Sequence, residues 1–285
     1  MMIINNYIEL QKPDLYIYNL NLTITKDVLK LFSDIKCVIL QGSHERTLNL
    51  TIKLANIFNI NHSKNLFAGS SYVGYRVGNI LLVSHGMGNT SIVTLLHSLS
   101  KLLYYADSRD AKYIRVGTSG GIGVQPGSII LTDTAFMPNL IPGFLVPTAK
   151  GDVIYPTKMN HELNLDILQS QPFDLDFEII IGNTIAADDF YLGQARFDGA
   201  ITPKFNHEER SLYFKKLQAN NIYNFEMEST ALAGFCNRAK IDVTMIAVTL
   251  IDRLQGDQIK ATDNELALYL ERLMIVVINY LKSVI

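Results

Sequence analysis

The densest concentration of potentially reactive groups is Tyr113-Ile-Arg-Val-Gly-Thr-Ser-Gly-Gly-Ile-Gly-Val-Gln-Pro-Gly127, an apolar run that breaks into glycines and hydroxyls. The run up to Val116 predicts a buried strand, and the glycines after it permit positive φ and close approach of the backbone to a ligand. Consecutive N–H groups would then face outward as a nest, with the Thr118 and Ser119 hydroxyls beside them and Arg115 at the edge. That set suits a phosphate. No Gly-Lys-[Ser/Thr] follows, so a nucleoside-triphosphate loop is excluded. On these residues alone, a turn that merely ends a strand is an equal reading.

Further polar turns supply complementary groups. Gly42 and Arg46 add amides and a second guanidinium, whose planar fork matches phosphate, although a lone Arg46 near a helix start also reads as a solvated surface charge. In Asp188-Asp-Phe-Tyr-Leu-Gly-Gln-Ala-Arg196, the Gln194 amide carries a donor and an acceptor on one planar end. It can pair with an imide N–H and the adjacent carbonyl while Arg196 donates to the second carbonyl, which is the edge of uracil. Phe190 is either a stacking face for the base or a core aromatic. Asp188 and Asp189 do not form an acid/base dyad, because neighbours on a strand point to opposite faces. Glu226 and Glu228 precede a helix and read equally as dipole partners of its N-terminus or as acceptors for two vicinal sugar hydroxyls. The stretch Val248 to Ile259 leaves a strand into a glycine-containing loop able to close over a base.

These groups need a scaffold that collects strand ends. The sequence alternates strand-like runs (37–40, 73–77, 80–84, 113–116, 128–132, 177–181, 243–250) with helical patterns (47–57, 92–105, 208–219, 228–239, 264–283), separated by a loop-rich section at 137–157. The expectation is an α/β fold, a single domain with a central mixed, mostly parallel twisted β-sheet flanked by helices and with its sites at the carboxyl ends of the strands. Residues 1–30, polar and asparagine-rich around Pro13, read as an N-terminal arm reaching a neighbouring subunit, and 31–285 as the domain. No internal repeat or low-complexity linker divides it.

Composition narrows the function classes. The 285 residues are 48% hydrophobic and 18% charged, with a net charge of −2. That balance argues against a nucleic-acid or anionic-membrane surface, so any anion must be met by local cations. No secretion signal or membrane span is expected, and Cys37 and Cys236 read as core thiols in a reducing, cytoplasmic compartment. The histidines show no metal spacing, and no serine nucleophile elbow occurs.

Taken in order, Gly42-x-x-x-Arg46, Ser84-His-Gly-Met-Gly88, Ile114-Arg-Val-Gly-Thr-Ser-Gly-Gly-Ile-Gly123, Gly182-Asn-Thr184, Asp189-Phe-Tyr-x-Gly-Gln-x-Arg196, Phe225-Glu-Met-Glu-Ser229 and Leu254-x-Gly-Asp-Gln-Ile259 resemble the eukaryotic-type uridine phosphorylases of the nucleoside phosphorylase-I family. The resemblance runs from about Leu15 to the C-terminus. It implies a nucleoside phosphorylase/hydrolase-like fold and reversible phosphorolysis of uridine to uracil and ribose 1-phosphate, with inorganic phosphate as co-substrate and no cofactor or metal. It also implies a homodimer. Gly42, Arg46, Arg115 and Thr118 would hold phosphate, Phe190, Gln194 and Arg196 the uracil, and Met227 and Glu228 the ribose. Arg115, Gln194 and Arg196 would carry the catalysis.

The sequence also departs from the family pattern. Ile17 stands where the family carries a partner-chain His, and Gly69-Ser-Ser-Tyr72 replaces a segment that carries a partner-chain Arg. Glu45 puts a carboxylate beside the first phosphate turn. Asp252 occupies a position where the purine enzymes have a catalytic Asp. Two alternatives follow from these departures: a paralogue that binds nucleoside with weak or no turnover, and a purine or broad-specificity phosphorylase.

Overall fold

The computed structural model describes Met2, Ile3, Asn5 and residues 15–284. They fall into two compact units, one of residues up to 115 with 235–243 and the C-terminal residues from 281, the other of 116–234 and 244–280.

In the first unit, β3 (Cys37–Gln41) is buried along its whole length. An unalternating apolar run of this kind belongs between two parallel neighbours covered on both faces. β3 lies parallel to β5 (Ile80–Ser84), with Gln41 opposite Ser84, and parallel to the first half of β6 (Lys112–Gly121), with Leu40 opposite Arg115. β4 (Gly74–Val77) runs antiparallel to β5. After β3 the chain turns at Gly42, and the Ser43 hydroxyl accepts from the Arg46 N–H to start α2 (His44–Phe58). Leu50 and Leu54 of α2, and Ile92, Leu95, Leu96, Leu99, Leu102 and Leu103 of α3 (Gly88–Tyr105), are buried at helical spacing. Of the segment expected as an arm, residues 15–30 carry the short pair β1 (Tyr16–Ile17) and β2 (Leu22–Thr23) and α1 (Lys26–Lys30). Ile17, Leu20 and Ile24 are buried there. Residues 6–14, Pro13 included, lie outside the described residues.

In the second unit, β10 (Ile179–Ala186) lies between β7 (Ile129–Phe136) and β11 (Ile222–Glu226), parallel to both, and β12 (Val243–Asp252) runs antiparallel to β7. The C-terminal half of β6 pairs antiparallel with β11, Asn224 opposite Gly121. Both units therefore carry mixed pairing, parallel and antiparallel strands together. The section read as loop, 137–157, instead folds back on itself as a hairpin of β8 (Gly143–Thr148) and β9 (Gly151–Pro156). α4 (His161–Gln169) and α5 (His207–Ala219) follow, each opened by an asparagine cap, Asn160 and Asn206. α6 (Ser229–Ala239) and α7 (Asp263–Leu281) complete the chain.

β10 and β11 are interrupted in sequence by polar residues, and a buried hydrogen-bond chain explains them. Thr132 and Thr184 share a 2.7 Å contact, the Thr184 hydroxyl donates to Asn224 Oδ1 at 2.7 Å, and Asn224 Nδ2 donates to Ser119 Oγ at 3.0 Å. Ser119 in turn donates to the Val248 carbonyl at 3.3 Å. A fully satisfied chain of this kind sets strand register, because a slip by one residue would leave each member unpaired in the interior. Gly182-Asn-Thr184, beyond the strand predicted at 177–181, is a shift in register within β10 that keeps Thr184 on the chain.

The central glycines also differ from the expectation of a nest. Gly120 and Gly121 are strand residues, and the positive φ angles fall further on, at Gly123 (67°) and Gly127 (90°). Glycine is required at 121 for space, since a Cβ there would sit 2.9 Å from the Ile251 carbonyl oxygen and 2.8 Å from Val124 Cγ2. Gly121→Ala is expected to lower the unfolding free energy by about 1–3 kcal/mol, read as a lower denaturant midpoint at unchanged m-value.

Candidate active site

The residues expected at phosphate, with one exception, belong to the first unit. Gly42 follows β3 and packs against the turn after β5: a Cβ at Gly42 would lie 3.2 Å from the Gly86 carbonyl oxygen and 3.7 Å from His85 Cε1. Gly86 takes φ 73°. Arg46 is exposed on the first turn of α2, beside the exposed Glu45, and Arg115 is buried on β6. The exception is Thr118, half-buried on the second half of β6. Ser119, grouped with Thr118 by sequence, instead spends its hydroxyl within the sheet. Arg76 is committed elsewhere: its guanidinium donates to Asp34, the Leu31 carbonyl and the Gly78 carbonyl. His44, at the start of α2, lies 3.1 Å from the Ser71 carbonyl through Nε2.

Sequence reasoning passed over His85, which is fully buried with no hydrogen-bond partner at either ring nitrogen. Burial, reinforced by the positive charge of Arg115, holds it well below the usual histidine range, so the ring is neutral. It stands beneath Gly42 as an uncharged polar wall.

In the second unit the base-reading candidates form one connected group. Gln194 is buried, and the fully buried Arg253 fixes it: Arg253 Nη2 donates to the Gln194 backbone carbonyl at 2.8 Å and Nη1 to Oε1 at 3.4 Å. The carboxylate of Asp257 accepts from Arg253 Nε at 3.1 Å and Nη2 at 2.9 Å, from Arg210 Nη2 at 2.7 Å and from the Phe197 N–H at 3.0 Å. Arg196 forks onto Asp198, with Nε to Oδ1 at 2.8 Å and Nη2 to Oδ2 at 2.5 Å, and donates to the Asp257 carbonyl at 2.7 Å. Its guanidinium lies 4.5 Å from the Phe190 ring centre. Phe190 is thus a half-exposed platform under Arg196 and not a core aromatic. Gln258 also donates to Asp198, so the loop after β12 is latched to the loop after β10.

The electrostatics follow from burial and pairing. Burial pushes the Arg253 guanidinium down to about 10, a fall that Asp257 opposes, and it stays charged at neutral pH. The bond from Arg196 holds the Asp198 carboxyl below its usual range. Arg196, Arg210 and Arg253 face Asp198 and Asp257, so one positive charge is left over in the group. The two acidic residues before α6 separate by role. Glu226 accepts from the Glu228 and Ser229 N–H groups at 2.8–3.1 Å and from the Ser229 hydroxyl at 2.5 Å, which caps the helix. Glu228 is buried in the same turn and Met227 is half-buried beside it. Asp252 is also spent structurally, its Oδ1 accepting from the Gly123 and Leu254 N–H groups, each at 3.0 Å.

The sequence held a signal for Arg253 and Asp257: an Arg and an Asp four apart in a loop behind an apolar strand, next to Gln258. Without coordinates nothing connects them to Gln194. Among the described residues no cluster of His, Cys, Asp and Glu can hold a metal ion, and no helix is long and apolar enough to cross a membrane.

Neutral burial of His85 has a consequence for stability. A base whose folded pKa is lowered takes up its proton first in the unfolded chain, so its contribution is complete above about pH 6.5 and is lost as pH falls below that value. The wild type is expected to lose stability more steeply than His85→Gln, by up to ~1.4 kcal/mol per pH unit, in denaturation series from pH 7 to pH 5.5.

Comparison with known proteins gives the family. Residues 36–282 match the family model of the phosphorylase superfamily. Mouse uridine phosphorylase 1 is 36% identical over 98% of this chain and 90% of its own length. The structure of Schistosoma mansoni uridine phosphorylase in complex with thymine superposes with a TM-score of 0.91 at 33% identity, covering 99% of each chain. A second Schistosoma mansoni relative, 31% identical over 94% of this chain and 91% of its own, is named inactive uridine phosphorylase B. The α/β fold, the motif order and nearly full-length similarity lead to one conclusion: the chain belongs to the uridine phosphorylase family of the phosphorylase superfamily.

Proposed function

We propose that this protein catalyses the reversible phosphorolysis of uridine. The observation that carries the reading is the base-side group: a buried amide locked by Arg253, and a guanidinium held over Phe190 with Nη1 left over after its bonds to Asp198 and Asp257. An amide and a cation in that order suit an imide N–H flanked by two carbonyls. Gly42, Arg46, Arg115 and Thr118 hold inorganic phosphate, and Met227 and Glu228 hold the ribose. A phosphate oxygen attacks C1′ as the C1′–N1 bond breaks, and the electron pair of that bond passes onto the base. Gln194 and Arg196 stabilise the charge where it develops, and Arg115 orients the nucleophile, so positioning and electrostatics supply the rate with no cofactor. The products are uracil and ribose 1-phosphate.

The two alternatives lose support. Asp252 has its carboxylate Oδ1 engaged by Gly123 and Leu254 N–H groups, which removes the motive for a purine specificity. Similarity over nearly the whole chain to relatives named uridine phosphorylases supports turnover over bare binding. The protein works as a homodimer in the cytosol. Tyr16 and Tyr18, an exposed edge-to-face pair beside the N-terminal segment, suit contact with a second copy, and the buried free thiols Cys37 and Cys236 suit a reducing compartment.

Purified protein given uridine and phosphate is expected to release uracil, and to leave inosine unchanged under the same conditions. Arg115→Ala removes a charge-assisted contact of about 1.5–3 kcal/mol, so kcat/KM falls roughly ten- to a hundred-fold. Asp252→Asn is expected to leave the preference for uridine over inosine intact. Uracil release equal in wild type and Arg115→Ala would defeat the reading.

A further inference from the structure

We propose that Asp257 is the positioning residue of the base half of the site: one buried carboxylate that sets both base readers before substrate arrives and leaves a net positive charge for the departing base. The inference rests on the uridine reading above and extends it to a residue that touches neither base nor sugar.

Asp257 reaches Gln194 and Arg196 by different routes. Its Oδ1 holds Arg253 through two donors, and Arg253 holds Gln194 at both backbone and side chain. Its Oδ2 accepts from the Phe197 N–H, which fixes the backbone next to Arg196, and its backbone carbonyl accepts from Arg196 itself. Arg210, from α5, bonds both Asp257 Oδ1 and the Arg253 carbonyl and so braces the loop from outside. The side chain of Asp257 is 8% exposed and that of Arg253 0%. A buried guanidinium of this kind demands a carboxylate, and removing one partner leaves the other uncompensated. The Asp198 fork then fixes which nitrogen of Arg196 is left for substrate, namely Nη1.

Asp257→Asn is a narrow perturbation. The amide can keep one oxygen for Arg253 and Arg210, but its NH₂ then confronts the Phe197 N–H, donor against donor. The reader geometry should loosen while the phosphate residues, which share no bond with Asp257, are untouched. The expected result is a KM for uridine raised ten-fold or more with the KM for phosphate changed less than two-fold. A general loss of folded protein would lower kcat and leave both KM values alone. A second readout separates positioning from structure. If the readers stabilise charge on the leaving base, their misplacement hurts a poor leaving group more than a good one, so the 5-fluorouridine to uridine ratio of kcat/KM should rise at least three-fold in the variant. Arg210→Met, which touches neither Gln194 nor Arg196, should show the same two changes at about a third of the size and keeps the test open if Asp257→Asn does not fold. Uridine and phosphate KM values rising together, or an unchanged fluorouridine ratio in whichever variant folds, would overturn the inference. A wild type without uracil release would instead strike at the function itself.

Discussion

A guanidinium withdrawn from water must be met by a carboxylate, and that requirement organises the chemistry of the second unit. Arg253 is buried by the carboxyl end of β12, Asp257 answers it four residues later, and the same oxygen also answers Arg210 from α5. Burial on this scale is rarely a net gain in stability, because desolvation consumes most of the attraction. What the arrangement gives is definition. Gln194 cannot rotate its amide freely while Arg253 holds its oxygen and its backbone, and Arg196 cannot leave the face of Phe190 while Asp198 grips two of its nitrogens. Recognition of a planar imide by one amide and one cation, as proposed for Gln194 and Arg196, would need that fixity more than extra contacts.

The residues proposed to hold phosphate are positioned by a different device. Two glycine turns, at Gly42 and Gly86, approach so closely that a side chain on the first would meet the carbonyl of the second. Beside them stands a neutral imidazole without partners, next to a buried arginine. A charged histidine there would repel Arg115. Kept neutral, it leaves the local field to the guanidinium. The carboxylate of Glu45, placed near this turn by sequence, is exposed, so solvent screens its effect on an anion.

Much of the fold was legible because the parallel strands are apolar on both faces: Cys37 to Leu40, Ile80 to Val83 and Tyr113 to Val116 announce themselves without alternation. The boundaries that failed have specific causes. β6 and β10 run on past the point where glycine and asparagine suggested turns, because Ser119, Thr184 and Asn224 satisfy one another inside the sheet. β11 went unread for the same reason, and the β8–β9 hairpin because Gly143, Pro147 and Gly151 imitate loop composition. In the candidate site, motif residues such as Gln194 and Arg196 were visible, since their types alone state what they can bind. His85 and Asp257 stood inside quoted motifs without a role, and Arg253 just before one, because what they do consists of contacts with residues distant in sequence.

The contrast between Glu226, Asp252 and Asp257 shows why residue type undercounts structure. All three are acidic residues at the ends of strands or just beyond, where a reading by chemistry offers acid, base or sugar acceptor. Two of them prove to satisfy backbone N–H groups, Glu226 at the start of α6 and Asp252 at the Gly123 turn. Asp257 faces two guanidiniums, those of Arg210 and Arg253, and there the carboxylate's charge matters beyond its hydrogen-bonding capacity. A neutral oxygen still accepts from backbone amides, though more weakly than a charged one, whereas a buried guanidinium without its carboxylate is left uncompensated. Loss of charge at Asp257 therefore leaves Arg253 and Arg210 unmatched beside Phe197, the neighbour of the candidate base reader Arg196.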